Sequence, residues 1–189
     1  MDNLLTASRR RLRLLVLGIG NLLYTDDGVG VHVVRELRKR RYASILVTEI
    51  GTAMLDALPL FEWADRVLVV DAIQAGGKPG SIYWGELSAI QSLCHGPSIH
   101  DVGIASVLTL MSKGASQPEV FVLGVEPASL DLGLGLTVTV RNVLPHVIGI
   151  INDTLRRWRA EGAPLRGRVA ISPVRLQFVS AKPLPATIE

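Results

Sequence analysis

The 189-residue sequence has little cysteine and few aromatic residues. Its single cysteine, Cys94, excludes an intramolecular disulfide and any metal site built from several thiolates, and it favours a reducing compartment. Aromatic residues make up only 5% of the chain and are not interleaved with the basic clusters Arg9–Arg13 and Arg38–Arg41. Despite the net charge of +3, a surface that stacks bases is therefore not indicated. We expect a cytoplasmic protein that does not bind nucleic acid.

Long uninterrupted hydrophobic runs are also missing. No segment reaches the roughly 18 apolar residues that span a bilayer, so we expect no membrane insertion. Ser8–Leu12 resembles a twin-arginine export signal, but the apolar run behind it is interrupted at Gly18–Asn21. No small-residue cleavage site precedes Asp26. Export is therefore the less favoured interpretation.

Short apolar runs alternate with segments of helical periodicity. Strands are predicted at Leu12–Leu17, Ser44–Ile50, Arg66–Asp71, Ser81–Glu86 and Glu119–Val125. Helices are predicted at Val29–Arg41, Ala53–Trp63, Val102–Met111 and Leu136–Trp158. Alternation with buried strands predicts the α/β class, as a single-domain three-layer α/β/α sandwich with a mostly parallel twisted sheet.

Three regions follow from this pattern. Residues 1–11 form a basic N-terminal extension, residues 12–160 the folded domain, and residues 161–189 a basic, proline-containing C-terminal tail. Within the last predicted helix, Pro145 lacks the amide hydrogen that a helix interior needs. We expect it to kink or split that helix.

A glycine-rich turn after the first strand presents two adjacent carboxylates. Gly18, Gly20 and Asn21 shape the turn, and Asp26 and Asp27 follow just before a helix. Either acid alone is more simply explained as a helix cap than as a ligand. Asp26 lies where the chain still turns, so we interpret Asp26 as the cap and Asp27 as the carboxylate that is available to a ligand.

Two further polar residues should reach the same edge of the sheet. Asp71 ends its strand, and His100 lies in a loop just before a helix. Ligands of open α/β sheets bind outside the carboxyl ends of the strands. Two carboxylates with one imidazole suit a first-row divalent ion with open positions for water or substrate. Asp71 alone is equally well explained as a carboxylate that caps a turn.

The pair Gly18 and Gly20 also suggests a dinucleotide-binding turn. The third glycine of that fingerprint is replaced by Leu23, and Asp26 and Asp27 would repel a pyrophosphate. A nucleotide-binding enzyme is therefore the weaker alternative.

Several motifs occur in one order along the chain. They are Gly18-x-Gly20-Asn21-x-Leu23-x-x-Asp26-Asp27-Gly28-x-Gly30, Gly51-Thr52, Ala64-Asp65-Arg66, Val70-Asp71-Ala72, Pro79-Gly80, Ser98-x-His100-Asp101-x-Gly103, Gly124-x-Glu126-Pro127 and Gly133-x-Gly135-Leu136. The series resembles the maturation endopeptidases of nickel–iron hydrogenases. These enzymes trim a C-terminal extension from the hydrogenase large subunit once nickel is installed. The resemblance runs from about Leu12 to Ile150.

This resemblance implies a metal-dependent endopeptidase whose protein partner is the large-subunit precursor. Its metal-binding and catalytic residues would be Asp27, Asp71 and His100, and the divalent metal would be nickel supplied by the substrate. A non-proteolytic chaperone that binds nickel or the precursor is the alternative. We expect a monomer or a weak oligomer.

One departure from the family pattern concerns substrate choice. Many relatives read Asp-Gly-Gly-Thr where this chain has Glu49-Ile50-Gly51-Thr52. The resemblance implies that Glu49, Gly51 and Thr52 contribute to recognition of the substrate.

Overall fold

The apolar runs form one five-stranded sheet in the computed structural model, which describes residues 11–40, 42–93, 99–111 and 116–161. The strands are β1 (Leu14–Ile19), β2 (Ile45–Gly51), β3 (Arg66–Ala72), β4 (Ile82–Glu86) and β5 (Glu119–Val125). Their order is β2-β1-β3-β5-β4, and only the edge strand β4 is antiparallel to its neighbour. The predicted mostly parallel sheet is confirmed.

Helices cover both faces of this sheet. They are α1 (Val29–Arg38), α2 (Leu58–Trp63), α3 (Leu87–Gln91), α4 (Ile99–Leu110) and α5 (Val138–Glu161). On one face Val16 of β1 packs in a cluster with Val33 of α1 and Ile151 of α5. On the other face Leu17 packs in a cluster with Phe61 of α2 and Val107 of α4. Because successive strand residues point to opposite faces, the nearly continuous apolar strands fill both layers.

The chain reverses its direction of travel across the sheet at β1. The next strand, β2, lies on one side of β1, and β3 lies on the other. The pairing of β1 with β3 runs from Leu14 opposite Arg66 to Gly18 opposite Val70, so the two strands end at the same level. Crevices at such a switch point are where open α/β sheets bind ligands.

The first turn of α1 approaches the sheet unusually closely at this point. A Cβ atom on Gly30 would lie 2.1 Å from the carbonyl oxygen of Val70 and 2.4 Å from that of Ile19. A Cβ on Gly18 would lie 2.3 Å from the carbonyl oxygen of Gly30. Glycine is therefore required on both sides of the contact, which brings the start of α1 directly onto the ends of β1 and β3.

Two predictions about helices need correction, and one short helix was missed. The segment predicted as one helix over Ala53–Trp63 is a 3₁₀ turn, Met54–Ala57, followed by α2, and the short helix α3 was not predicted. The predicted split at Pro145 is wrong, because α5 is one α-helix, and the predicted kink there stays a prediction. Pro145 lies on the exposed side of α5, whereas Val140, Val147 and Ile151 are buried. Packing of that face outweighs the loss of one backbone hydrogen bond.

The predicted extension at 1–11 and tail at 161–189 fall almost wholly outside the described residues. Both remain predictions. Among the helices that the structure does describe, none is both long enough and apolar enough to cross a membrane.

Gly30 and Gly149 provide a matched pair that tests the close contact. Gly30→Ala places a methyl group against backbone oxygens that have no room to move, and we expect a loss of about 2 kcal/mol or more in the free energy of unfolding. A Cβ on Gly149, in α5, would meet no atom of a neighbouring element within 4 Å. Gly149→Ala should instead add about 0.5–1 kcal/mol through helix propensity. Urea denaturation measures both, and equal effects of the two substitutions would contradict the contact.

Candidate active site

The turn after β1 folds back on itself and returns Asp27 to the end of that strand. Gly20 has φ +126°, and a Cβ there would lie 1.8 Å from the carbonyl oxygen of Asp27. The Gly20 amide donates to the carbonyl oxygen of Gly51 at the end of β2, at 3.2 Å. The Asn21 amide donates to Oδ2 of Asp27 at 2.7 Å. The backbone thus fixes one oxygen of this half-buried carboxylate.

Asp71 lies at the same edge, on the neighbouring strand. It is the sixth residue of β3, its side chain is 5% exposed, and Oδ1 accepts the amide hydrogen of Ala72 at 2.8 Å. Alternation along β3 places it on the face of Val67 and Val69, which α2 and α4 cover. The 3₁₀ turn Thr25–Gly28 packs against β3. The structure therefore brings the elements that carry both predicted acids to one side of the switch point.

His100 was expected in a loop just before a helix, but it is the second residue of α4, which begins at Ile99 rather than at Val102. Its side chain lies outside the described part of the structure. The position of α4 supports the predicted place of His100 at the carboxyl edge of the sheet. A Cβ on Gly103 would lie 2.5 Å from Cγ of Met54, which follows β2, whereas Gln117, just before β5, donates to the carbonyl oxygen of Leu108. The first turn of α4 therefore lies at the edge where the parallel strands end.

The three predicted ligands remain a prediction as a set. Among the side chains that the structure describes, no three histidine, cysteine, aspartate or glutamate residues are grouped as a metal site. The donors themselves fit a divalent ion. Apart from the Asn21 amide, the carboxylate of Asp27 has no hydrogen-bond partner within the described ranges, and a carboxylate pair with one imidazole matches the preference of first-row metals.

Asp26 does not cap a helix, and that expectation was wrong. Neither the 3₁₀ turn Thr25–Gly28 nor α1 has a side-chain cap. The carboxylate of Asp26 is fully buried and accepts four hydrogen bonds from the segment before α5. Its donors are the amides of Ala128 (2.9 Å), Ser129 (3.2 Å) and Thr137 (2.7 Å) and the hydroxyl of Thr137 (2.8 Å). The acid instead joins the glycine turn to the segment that leads into α5.

The residues associated with substrate choice lie beside the glycine turn, at the end of β2. Glu49 forms a two-pronged ion pair with the guanidinium of Arg35, with the shorter contacts at 3.0 Å. This hydrogen-bonded pairing raises the pKa of Arg35. Gly51 has φ +56°, and Thr52 is exposed. Their role in recognition stays a prediction, and it would involve a Glu49 side chain that is already oriented by α1.

Sequence reasoning missed the role of Glu126. This buried residue accepts hydrogen bonds at Oε2 from the Tyr83 hydroxyl at 2.6 Å and from the Ala75 amide at 3.0 Å. It therefore fixes the loop that follows Asp71 in the chain. Its place in the motif Gly124-x-Glu126-Pro127 was the available signal, but the motif alone does not reveal the partners.

His32, on α1, is partly buried, and it belongs to no cluster of metal-ligating side chains among the residues that the structure describes. Burial, followed by the positive charges of Arg35 and Arg141, lowers the pKa of His32 below its ordinary value of 6.5, and Glu49 opposes this effect. Nε2 is buried and has no hydrogen-bond partner among the described residues. His32 therefore remains neutral to a lower pH than a free histidine does.

Comparison with known proteins connects this arrangement with one family. The profile of the hydrogenase maturation proteases matches residues 31–154. The hydrogenase expression/formation protein HupD of Rhizobium leguminosarum is 35% identical over 163 residues, which cover 80% of this chain and 81% of that protein. The hydrogenase 2 maturation protease of Escherichia coli is 32% identical over 160 residues, covering 81% of this chain and 96% of the relative.

A solved structure agrees in fold as well as in sequence. The hydrogenase maturating endopeptidase HybD from Escherichia coli superposes with a TM-score of 0.70 and is 29% identical, covering 77% of this chain and 93% of that one. The nickel–iron hydrogenase maturation protease HycI from Thermococcus kodakarensis, at 20% identity and a TM-score of 0.63, shares the fold.

Asp26→Asn tests the anchoring role of the buried carboxylate. The amide retains one acceptor oxygen but turns a donor toward backbone amides, so we expect a loss of about 2–4 kcal/mol in the free energy of unfolding. Asp131→Asn is the matched control because Asp131 is exposed in the same segment and accepts a hydrogen bond from the Ser129 hydroxyl. That control should change stability by less than about 0.5 kcal/mol in the same denaturation experiment. Similar losses in both variants would contradict the anchoring role.

The neutral state of His32 predicts a pH dependence of stability. Because its folded-state pKa is lowered, the unfolded chain binds more protons below about pH 6.5, so stability should fall as the pH decreases through that range. His32→Gln removes this titration. The free energy of unfolding of the variant should therefore decrease less than that of the wild type between about pH 7 and about pH 5. His146→Gln, at an exposed position, is the control, and identical slopes for His32→Gln and wild type would refute the prediction.

Proposed function

The chain belongs to the hydrogenase maturation protease family, and from this we propose that it removes the C-terminal extension of a nickel-loaded large-subunit precursor of a nickel–iron hydrogenase. It is an endopeptidase, and therefore a hydrolase of peptide bonds. The observation that supports the specific reaction is that the 3₁₀ turn Thr25–Gly28, which carries Asp27, packs against β3, which carries Asp71, at the β1/β3 switch point. In this proposal the cation that the substrate carries reaches both carboxylates at this edge of the sheet.

The nickel of this reaction belongs to the substrate. Asp27, Asp71 and His100 are the residues of this chain that would hold it, and the precursor supplies the remaining ligands. Only a precursor that already carries nickel then completes the site. A nickel-free precursor has no cation that could neutralise the charges of Asp27 and Asp71. Binding of its scissile segment is therefore unfavourable. This requirement makes the enzyme specific for precursors into which nickel has already been inserted.

Peptide hydrolysis also needs a base that takes a proton from the attacking water. Asp27 has the geometry for this role because the Asn21 amide fixes Oδ2 at 2.7 Å and leaves Oδ1 for a water molecule. A bound divalent cation polarises the scissile carbonyl and increases the acidity of water. The proton accepted by Asp27 would then be delivered to the leaving amine, which completes the exchange of a C–N bond for a C–O bond.

Substrate choice is assigned to the end of β2. Glu49, Gly51 and Thr52 lie next to the turn that carries Asp27, because Gly51 accepts the hydrogen bond of Gly20. A precursor segment that reaches Asp27 from this side passes these residues. The ion pair of Glu49 with Arg35 favours a substrate that leaves this pair intact.

We also place the reaction in the cytoplasm, a reducing compartment in which the single cysteine is stable as a thiol. The enzyme acts as a monomer or weak oligomer in this proposal. A chaperone that binds the precursor without cleaving it is not favoured, because the relatives are named as proteases.

Asp27→Asn tests the catalytic role of this carboxylate. The amide oxygen of the new side chain retains the hydrogen bond from Asn21, so the fold should persist while the base is lost. Cleavage of nickel-loaded precursor should slow by about 10²–10⁴-fold. The readout is the loss of the C-terminal extension, followed over time by intact mass spectrometry of the large subunit. Asp131→Asn is the control, and it should cleave at the wild-type rate.

Asp71→Asn and His100→Ala extend the test to the other two predicted ligands. Each should abolish cleavage of nickel-loaded precursor, because either change removes a donor to the cation. Wild-type enzyme should leave nickel-free precursor intact. Equal cleavage of nickel-loaded and nickel-free precursor would contradict the proposed recognition of nickel. It would not contradict the endopeptidase activity.

A further inference from the structure

Two paired segments next to the candidate site expose large apolar side chains. We call residues 23–25 and 132–134 the apolar ribbon. Tyr24 pairs with Gly133 as an isolated parallel bridge. The amide of Thr25 donates to the carbonyl oxygen of Gly133, and the amide of Gly133 donates to that of Leu23, both at 2.9 Å. The exposed fractions are 57% for Leu23, 42% for Tyr24, 77% for Leu132 and 85% for Leu134.

The fold of this chain gains little from Leu132 and Leu134. A leucine that remains 85% exposed contributes almost no hydrophobic stabilisation to its own domain. Single exposed apolar residues are ordinary, but several on adjoining backbone segments are typical of an interaction site. Residues 127–137 carry one charged side chain, Asp131. A partner would therefore be recognised here by apolar contact rather than by charge.

The ribbon is rigidly built despite its exposure. Asp26 adjoins it in sequence and anchors Ala128, Ser129 and Thr137 on its far side through the buried hydrogen bonds described above. A Cβ on Gly133 would lie 2.8 Å from Cγ2 of Thr25, so glycine is needed where the two segments meet. A surface that is ordered before binding loses little entropy when a partner docks.

The position of the ribbon next to Asp27 indicates which molecule binds to it. The Asp27 amide donates to the carbonyl oxygen of Tyr24 at 2.8 Å, so the ribbon and the proposed base are parts of one turn. A protein whose scissile bond reaches Asp27 must cover the surface beside it. We infer that the apolar ribbon is the docking surface for the protein substrate, an inference that rests on the proposed function. The ribbon would bind apolar side chains of the large-subunit precursor near the cleaved segment.

This role predicts an effect on binding rather than on the chemical step. The double variant Leu132→Ser/Leu134→Ser removes two apolar side chains but leaves the hydrogen bonds of the ribbon, which are made by backbone groups. For nickel-loaded precursor, KM should increase tenfold or more while kcat at saturating precursor stays within twofold of wild type. The dissociation constant of the complex, measured by surface plasmon resonance, should increase in parallel.

Leu110→Ser is the matched control. Leu110 is 58% exposed at the end of α4, at the opposite edge of the sheet. This variant should have the wild-type KM, kcat and dissociation constant. Near-ultraviolet circular dichroism should confirm that both variants retain the fold, as expected for substitutions at exposed positions.

The possible outcomes distinguish a failure of the docking proposal from a failure of the proposed function. If the wild type cleaves the precursor and the double variant has unchanged KM and dissociation constant, the docking proposal is wrong and the proposed function stands. If the wild type does not cleave, the proposed function fails, and an unchanged dissociation constant of the double variant then also overturns docking. If the wild type is a dimer by analytical ultracentrifugation and the double variant is a monomer with unchanged cleavage, the ribbon joins two copies of this chain and the proposal is overturned.

Discussion

A single buried carboxylate, that of Asp26, connects the parts of the molecule on which function depends. It lies in the turn that follows the interior strand β1 and accepts hydrogen bonds from the segment that leads into α5. Thr137, one of its donors, in turn accepts the amide hydrogen of Val140 in the first turn of α5. An acid with no access to water is stable only when such donors surround it. The same constraint therefore holds the turn, the start of α5 and the exposed segment between them in one geometry.

The same constraint also orients the neighbouring acid, Asp27. Because Asp26 is held by distant partners, the adjacent carboxylate of Asp27 is directed to a different donor, the amide of Asn21 in the turn after β1. The close approach of Gly18 and Gly30 leaves no space between α1 and the strand ends. Asp27 and the strand that carries Asp71 are thus positioned by backbone contacts rather than by flexible side chains. Positions fixed in this way favour catalysis because the groups need little reorganisation during the reaction.

Local sequence features predicted most of the fold and part of the site. The buried strands are apolar runs, and parallel strands end at one edge, so two short segments suffice to predict that Asp27 and Asp71 belong to the same edge of the sheet. The partners of Asp26 lie about a hundred residues further along the chain, and no periodicity or spacing indicates such a long-range contact. The same holds for Glu126 and Tyr83. Pro145 is the opposite case, because here a local feature led to a wrong prediction. A proline inside a helix indicates a break, but the packing of α5 on the sheet keeps the helix continuous.

We propose that Asp27, Asp71 and His100 together coordinate the nickel that the substrate carries. Nickel K-edge X-ray absorption tests it most directly, on the nickel-loaded precursor alone and in complex with the enzyme, frozen before cleavage. The account predicts that the complex adds oxygen and nitrogen neighbours to nickel, with an imidazole signature that is absent when the enzyme carries His100→Ala. An identical nickel spectrum for the free precursor and the complex would contradict it.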